Sequence, residues 1–259
     1  MWRVSKEANE LWIFGTLSPI PQKMQWDAAS VEAILAETDE VISSPGVSVS
    51  ANPFKGFFAL PLLWGIRNSP EKKKLKDVVP AELYTRWLTQ KALYIGSDRG
   101  IEKYRPIFAA TELYTKAIDE SGLEPDAKVH KKINKMIKKN KIPVTSTSVE
   151  RSIEQPRKLI KAFKKSSLDD VDCLRKTIER LEVDLDDMRA RATAWASGDL
   201  ATLRSLLHED QLEQKWRDAA VLALENNEVT FAMLPITDLL KPDGVVAFFK
   251  DQGYQVKGG

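Results

Sequence analysis

The stretch Leu11-Trp12-Ile13-Phe14-Gly15-Thr16-Leu17-Ser18-Pro19-Ile20-Pro21 decides the fold that we predict. Four apolar residues run into Gly15 and Thr16, and the stretch closes with two prolines. This pattern predicts a short buried strand that ends in a loop. In α/β sheets, ligands bind beyond the ends of such strands.

A second stretch, near the other end of the chain, has the same design. The apolar run Val229-Thr230-Phe231-Ala232-Met233-Leu234-Pro235 is followed by Ile236-Thr237-Asp238-Leu239-Leu240-Lys241-Pro242-Asp243-Gly244. We therefore expect the ends of the two strands to meet across one cleft, and the residues there to decide the function.

The composition is that of an ordinary soluble globular protein. The chain has 259 residues, of which 43% are hydrophobic and 29% charged, and its formal net charge is +2. This charge does not select a nucleic acid or an acidic membrane as partner. No apolar run approaches the roughly 20 residues of a membrane-spanning helix. The single cysteine, Cys173, excludes an internal disulfide and is expected to be a half-buried structural thiol.

The order of elements predicts the α/β class. Trp2 to Phe14 indicates a β-hairpin, and the helix predicted from Asp27 to Ala36 leads into a short strand at Glu40 to Ile42. Strand, helix and strand form a βαβ unit, for which we expect parallel pairing. We predict a mixed β-sheet built from N- and C-terminal βαβ elements, with a large helical middle region packed over it.

We expect one domain over residues 1–259, in which residues 1–50 and 140–259 form the sheet and residues 55–140 form a helical insertion or cap. The strongly apolar run from Phe54 to Asn68 contains Pro61, and we interpret it as a kinked core or cap helix. A groove for a partner or a lipid is the alternative. A long helix is predicted from Asp169 to Trp195.

The two strand-end stretches resemble the TraB/GumN family, which is related to the Tiki-type proteases and is placed with the ChaN and erythromycin-esterase-like folds. Leu-Trp-Ile-Phe-Gly-Thr-Leu-Ser is similar to the family's opening strand and its Gly-Thr-x-His motif. The later stretch, followed by Gln-Gly-Tyr-Gln-Val, resembles the closing Gly-x-x-His-Leu-x-Gly-x-x-Gly block and Gly-Tyr-x-Val strand. Further similar landmarks are Arg105-Pro106, Trp195-Ala196-Ser197-Gly198-Asp199-Leu200 and Trp216-Arg217-Asp218-Ala219-Ala220. The resemblance covers nearly the whole chain and implies a metalloprotease-like fold.

The chain departs from the family pattern at the positions that the resemblance links to a metal. Ser18 and Asp238 stand where the family's two histidines are expected. Ser43 or Ser44 matches an expected acid, Ser146-Thr147-Ser148 matches a Gly-Leu-Glu, and Gln214-Lys215 matches an Arg-Asn pair. Active members are thought to hold a divalent metal with those histidines and acids. The resemblance therefore implies the fold without the metal site and without a cofactor.

The two histidines of the chain do not restore such a site. Metal-dependent hydrolases need about three converging protein ligands. His130 lies within Lys128-Val129-His130-Lys131-Lys132, on a basic helix that repels a cation, and His208 is predicted at the C-terminal end of a helix, where a surface cap is the ordinary role.

Two functions remain open. The first is a catalytically degenerate family member, a pseudoenzyme with a binding or scaffolding role in the bacterial cell envelope. The second is a peptidase-like hydrolase with an altered or metal-independent site, in which Ser18 is the nucleophile beside Asp238, or carboxylates alone hold a metal weakly. A serine nucleophile needs a base, and Lys215 or Lys241 would need a strongly lowered pKa to serve. The cleft positions that we select are Gly15, Thr16, Ser18, Ser43, Ser148, Lys215 and Asp238.

A run of lysines defines a possible contact with an anionic surface, through Lys131, Lys132, Lys135, Lys138 and Lys139. They fall on the exposed side of an amphipathic helix, and a solvated face is the simpler interpretation. No aromatic residue interleaves with them, which argues against nucleic acid. The family habit predicts a periplasmic or secreted protein whose export signal is absent from this sequence; without export it would be cytoplasmic.

Overall fold

The computed structural model describes residues 1–24, 26–51, 60–124, 127–165, 170–183, 190–194 and 214–258. The strands within these residues are β1 (Trp2–Lys6), β2 (Asn9–Thr16), β3 (Ile20–Pro21), β4 (Glu40–Ile42), β5 (Val47–Ala51), β6 (Leu123–Glu124), β7 (Val144–Thr145), β8 (Val149–Ile153), β9 (Val229–Pro235) and β10 (Gln255–Gly258). The α-helices are α1 (Ala28–Ala36), α2 (Leu75–Val78), α3 (Ala81–Tyr94), α4 (Pro106–Glu120), α5 (Ala127–Asn140), α6 (Pro156–Lys165), α7 (Asp170–Val183), α8 (Gln214–Asn226), α9 (Ile236–Leu240) and α10 (Val245–Asp251). Short 3-10 turns lie at Leu60–Leu63, Pro70–Lys72 and Gly100–Lys103.

The chain divides into two compact units. Unit 1 comprises Met1–Ser48, Glu124–Glu150 and Arg189–Gly259, and unit 2 comprises Val49–Leu123 and Arg151–Met188. Unit 1 contains the main sheet, and unit 2 contributes the helical middle of the chain. The α/β class with a mixed sheet and a helical middle region is thus confirmed. The single domain over residues 1–259 stays a prediction.

The sheet of unit 1 has six strands in the order β10-β1-β2-β9-β4-β7. β1 pairs antiparallel with both β10 and β2, as the predicted hairpin requires, whereas β2, β9, β4 and β7 run parallel. The expected direct pairing of β2 with β4 is wrong, because β9 lies between them. Five successive residues of β9, Thr230 to Leu234, are buried, and a strand buried on both faces belongs at the centre of a sheet.

Helices cover both faces of this sheet. Alternate residues of β2 point to opposite sides, so Leu11 and Ile13 join a core cluster with α8, α9 and α10, while Trp12 and Phe14 pack against the cluster that contains α1 and α5. The predicted helix at Asp27 is confirmed as α1, where the Asp27 carboxylate caps the first turn by accepting the Ser30 N–H at 3.1 Å.

Unit 2 is a bundle in which α4 packs against α3 and α7. Its interior includes Trp87, Leu113 and Leu174, each completely buried. Arg105, just before α4, forms a buried ion pair with Asp170 at the start of α7. In the described ranges, no helix is long and apolar enough to cross a lipid bilayer.

Two helix predictions need correction or restriction. The described end of the Phe54–Asn68 run is not a core helix: it is the 3-10 turn Leu60–Leu63, which precedes Gly65 at a φ of 67°. Pro61 cannot extend a helical hydrogen-bond ladder, and the left-handed backbone at Gly65 ends the turn. Residues 52–59 of that run lie outside the described residues. The helix predicted from Asp169 is confirmed as α7 up to Val183; residues 184–189 and the predicted end at Trp195 are not among the described residues.

Candidate functional site

The parallel strands β2, β9, β4 and β7 bring their carboxyl ends to one edge of the unit 1 sheet. Thr16 pairs with Pro235, and Ile42 pairs with both Ala232 and Thr145. The residues that follow these strands therefore lie along this edge, which we call the strand-end edge. The Leu11 and Val229 strands thus end side by side, whereas the cleft expected between their ends stays a prediction.

The end of β2 is shaped by close packing and by the backbone. A Cβ atom on Gly15 would lie 3.0 Å from the Ile236 side chain and 3.1 Å from Trp2, so glycine lets the start of α9 approach β2. The Thr16 hydroxyl is buried and donates a hydrogen bond to the Leu234 carbonyl at 3.2 Å. Ser18 is exposed and hydrogen-bonds to no histidine or lysine within the described residues.

The ends of β4 and β7 are tied together through Ser43. The Ser43 N–H donates to the Thr145 carbonyl at 3.0 Å, and its hydroxyl accepts the Thr147 N–H at 3.1 Å. Thr147, which is completely buried, returns a hydrogen bond from its hydroxyl to the Ser43 carbonyl at 2.9 Å. The neighbouring Ser44 hydroxyl oxygen is buried and has no hydrogen-bond partner among the described residues. These hydroxyls therefore mainly join two strand ends.

The carboxylate of the edge belongs to an ion pair. Asp238 lies on α9, directly after β9, and its Oδ1 is 3.1 Å from the Lys241 Nζ. The side chains are 9% and 13% exposed. The turn that follows is held tightly, since a Cβ on Gly244 would lie 2.3 Å from the Asp238 carbonyl oxygen. From the sequence, Lys241 is expected only as a possible base; its three-residue spacing from Asp238 is the indication of the ion pair.

Lys215 places the start of α8 at the same edge. Its Nζ donates to the Ser148 carbonyl at 2.7 Å, across 67 positions of the chain. The structure thus joins Lys215 to Ser148, Ser43 to Thr147, and Asp238 to Lys241. It records no hydrogen bond between Ser18 and Asp238 among the described residues, so those two predicted cleft positions share the edge without a direct link.

A surface cavity of about 470 Å³ adjoins the ion pair. It lies between α9 and α10 and is lined by Leu239, Leu240, Lys241, Pro242, Val246, Ala247, Lys250 and Asp251. The lining combines apolar side chains with three charged residues, Lys241, Lys250 and Asp251, and a volume of about 300–1,000 Å³ is typical of small-ligand sites. Sequence reasoning missed this cavity, because it depends on how α10 packs beside α9.

The model of the TraB/PrgY/gumN family matches residues 1–258. The chain belongs to this family. No curated protein and no solved structure matches this chain.

In the residues that the structure describes, the strand-end edge does not offer the donors expected for the divalent metal that the resemblance to active TraB/GumN members implies. Among the described residues, no group of three or more His, Cys, Asp or Glu side chains converges. His130 is half-buried on α5, and His208 lies outside the described residues. The strand-end edge offers hydroxyls, which are weak ligands for zinc or manganese, and a carboxylate already paired with a lysine.

The five predicted surface lysines of α5 are all exposed. Lys139 forms an ion pair with Glu32 at 3.2 Å, and the Lys132 ammonium lies 5.4 Å from the centre of the Trp26 ring. The contact of this face with an anionic surface stays a prediction.

Proposed function

We propose that this TraB/PrgY/gumN family member is a pseudoenzyme that binds a small ligand or a protein at the strand-end edge of unit 1. The observation that carries the proposal is the ion pair between Asp238 and Lys241. A general base or metal ligand needs a carboxylate whose charge is available to the reacting group. The Asp238 charge is instead compensated by an ammonium group that is itself largely withdrawn from water.

The hydroxyl groups of the edge support the same proposal. Those of Thr16 and Thr147 donate to backbone carbonyls, and that of Ser43 accepts a backbone N–H. Ser18 is exposed, but a serine nucleophile requires a neighbouring base to remove its proton. The cavity beside Lys241 then provides the concave, mainly apolar surface that binding requires.

Catalysis is tested first with the purified chain. We expect no labelling of wild type by a fluorophosphonate probe beyond that of Ser18→Ala. We also expect no cleavage of casein and no increase in thermal stability with manganese or cobalt chloride. Labelling that disappears in Ser18→Ala would favour the alternative hydrolase. Casein cleavage that chelator abolishes would refute the loss of the metal site.

Binding is tested with a variant that fills the cavity. Ala247→Trp places an indole among the lining residues, whereas Ala33→Trp adds the same group at an exposed position of α1. Both are compared with wild type in affinity capture from cell-envelope extract. We expect Ala247→Trp, but not Ala33→Trp, to lose the molecules that wild type retains. Equal retention by both variants would contradict a binding role of this cavity.

The location in the periplasm is part of the proposal and rests on the family resemblance. It is tested by fractionation of cells that express the full gene with a C-terminal epitope. We expect release with the periplasmic fraction, and recovery only from the cytoplasm would contradict it.

A further inference from the structure

Unit 2 exposes one large aromatic side chain almost completely. Trp64 is 89% exposed and its neighbour Leu63 is 43% exposed. Single exposed leucines are common on protein surfaces, but a tryptophan usually buries most of its large ring. An indole in water with a second apolar side chain beside it therefore indicates a contact surface.

The local structure fixes this tryptophan beside a basic helix. The turn Leu60–Leu63 packs against α6, and the Lys164 ammonium donates a hydrogen bond to the Trp64 carbonyl at 3.0 Å. Helix α6 is anchored on its other side, where Phe163 packs edge-on against Phe108 with 6.2 Å between ring centres. Both elements belong to unit 2, so the indole is held outward from a packed surface.

Two further cations lie on the side of α6 that carries Lys164. Arg157, Lys161 and Lys164 are spaced four and three residues apart, which places them on one side of α6. No acidic residue occurs between Pro156 and Lys165. In the described part of the chain, neither Arg157 nor Lys161 forms an ion pair. We call Leu63, Trp64, Arg157, Lys161 and Lys164 the Trp64 patch.

We propose that the Trp64 patch docks unit 2 on the surface of an anionic lipid bilayer. Tryptophan favours the headgroup level of membranes, and lysine and arginine are attracted by anionic lipids while their stems cover apolar surface. Indole and leucine enter the boundary between headgroups and acyl chains, and the cations of α6 face lipid phosphates. This inference does not depend on the function proposed for unit 1.

Other partners fit the patch less well. Single-stranded nucleic acid needs several aromatic rings for successive bases, and Trp64 is the one aromatic among the large exposed apolar side chains of the described residues. A stable protein interface needs a wider apolar centre than two side chains supply. The charge of the patch complements an anionic surface instead.

The test is co-sedimentation of the full chain with vesicles of phosphatidylcholine alone or mixed equally with phosphatidylglycerol. We expect binding to the mixed vesicles that weakens as salt is added. Trp64→Ser should weaken partitioning about tenfold through lost apolar burial, and Lys161→Gln about fivefold through one lost charge. Matched controls are Leu93→Ser, at a leucine of α3 that is 65% exposed, and Lys116→Gln, at an exposed position of α4. Both should bind like wild type.

A second measurement, the quenching of tryptophan fluorescence by brominated phosphatidylglycerol, does not depend on a variant that may fold poorly. Trp64→Phe retains an apolar ring but should lose most of the quenching that wild type shows. The proposal is overturned if the chain ignores mixed vesicles or binds phosphatidylcholine equally well. It is also overturned if Trp64→Ser binds like wild type, or if Lys116→Gln weakens binding as much as Lys161→Gln, which would place the contact outside the Trp64 patch.

Discussion

Removing the Asp170 carboxylate should severely destabilise unit 2. The Asp170 side chain is 8% exposed and its Oδ2 lies 2.6 Å from the Nε of Arg105, whose side chain is 3% exposed. Asp170→Ala leaves the guanidinium buried without its counter-charge. We expect the free energy of unfolding to fall by about 3–5 kcal/mol, the usual loss when one partner of a buried pair is removed.

The magnitude follows from the surroundings of Arg105. Two unit charges about 4 Å apart attract by about 4 kcal/mol at an effective dielectric constant of about 20. After the substitution, Arg105 keeps the Phe163 carbonyl, which its Nη1 reaches at 2.5 Å, and the Phe163 ring centre at 4.2 Å. Neither group carries a full negative charge, so they offset only part of the loss.

The assay is urea unfolding followed by circular dichroism and tryptophan fluorescence. Asp172→Ala is the matched control, because Asp172 lies in the same first turn of α7 and pairs with Lys176 at 2.9 Å. Their side chains are 51% and 75% exposed, and such a pair on a helix surface contributes about 0.5 kcal/mol or less. The double variant Arg105→Met with Asp170→Leu should recover most of the stability, since it removes both buried charges.

Two results would refute this reasoning. One is a loss below about 1 kcal/mol for Asp170→Ala, the size expected of an exposed pair. The other is a double variant of Arg105 and Asp170 whose loss in free energy of unfolding equals the sum of the losses of the two single variants, because the effects of substituting two interacting residues do not add.

Three further predictions concern packing, the strand-end edge and the thiol. Gly244→Ala should lose about 1–3 kcal/mol of stability, because its Cβ would lie 2.3 Å from the Asp238 carbonyl oxygen. The control is Gly46→Ala, whose added Cβ would lie 3.6 Å from its nearest neighbour, so its stability should stay within about 0.5 kcal/mol of wild type. Thermal unfolding measures both variants, and equal losses of stability would contradict the steric explanation. Asp238→Asn and Lys241→Met should show a coupling of about 1–3 kcal/mol in a double-mutant cycle of urea unfolding, and additive losses would mean that the ion pair contributes nothing. Burial raises the pKa of the Cys173 thiol. The rate of its reaction with a disulfide reagent should therefore increase at a higher pH in the native chain than in the urea-unfolded chain. An increase at lower pH in the native chain would contradict this prediction.

The sequence predicted the strand-end edge because a short apolar run that stops at Gly-Thr or at proline is enough to indicate a buried strand followed by a turn. It did not predict that β9 separates β2 from β4. Periodicity shows that a strand is buried, but neighbours in a sheet are chosen by the packing of the whole set of strands. The four apolar core residues of β9, Phe231, Ala232, Met233 and Leu234, take the centre of the sheet only when all of its strands are assembled.

The hydrogen bonds of the strand-end edge could not be predicted from local sequence either, because they join residues that are far apart in the chain. Ser43 and Thr147 are 104 positions apart, and Lys215 and Ser148 are 67 apart. Such contacts depend on strand register and on where α8 begins. The apolar run that contains Trp64 predicts a core or cap helix, with a groove for a partner or a lipid as the alternative, because apolar composition normally indicates burial; the exposure of Trp64 departs from that correlation.

The pair of Asp238 and Lys241 gives the departure from the family pattern a physical reason. By the resemblance, Asp238 stands where a histidine is expected, and a carboxylate placed there without a cation would be buried at considerable cost. An ammonium group three residues later on the same turn supplies the compensating charge from within the chain. On our proposal, a side-chain cation thus stabilises the strand-end edge where active members are thought to use a metal ion. On the same proposal, the fold is kept and the strand-end edge serves as a binding surface.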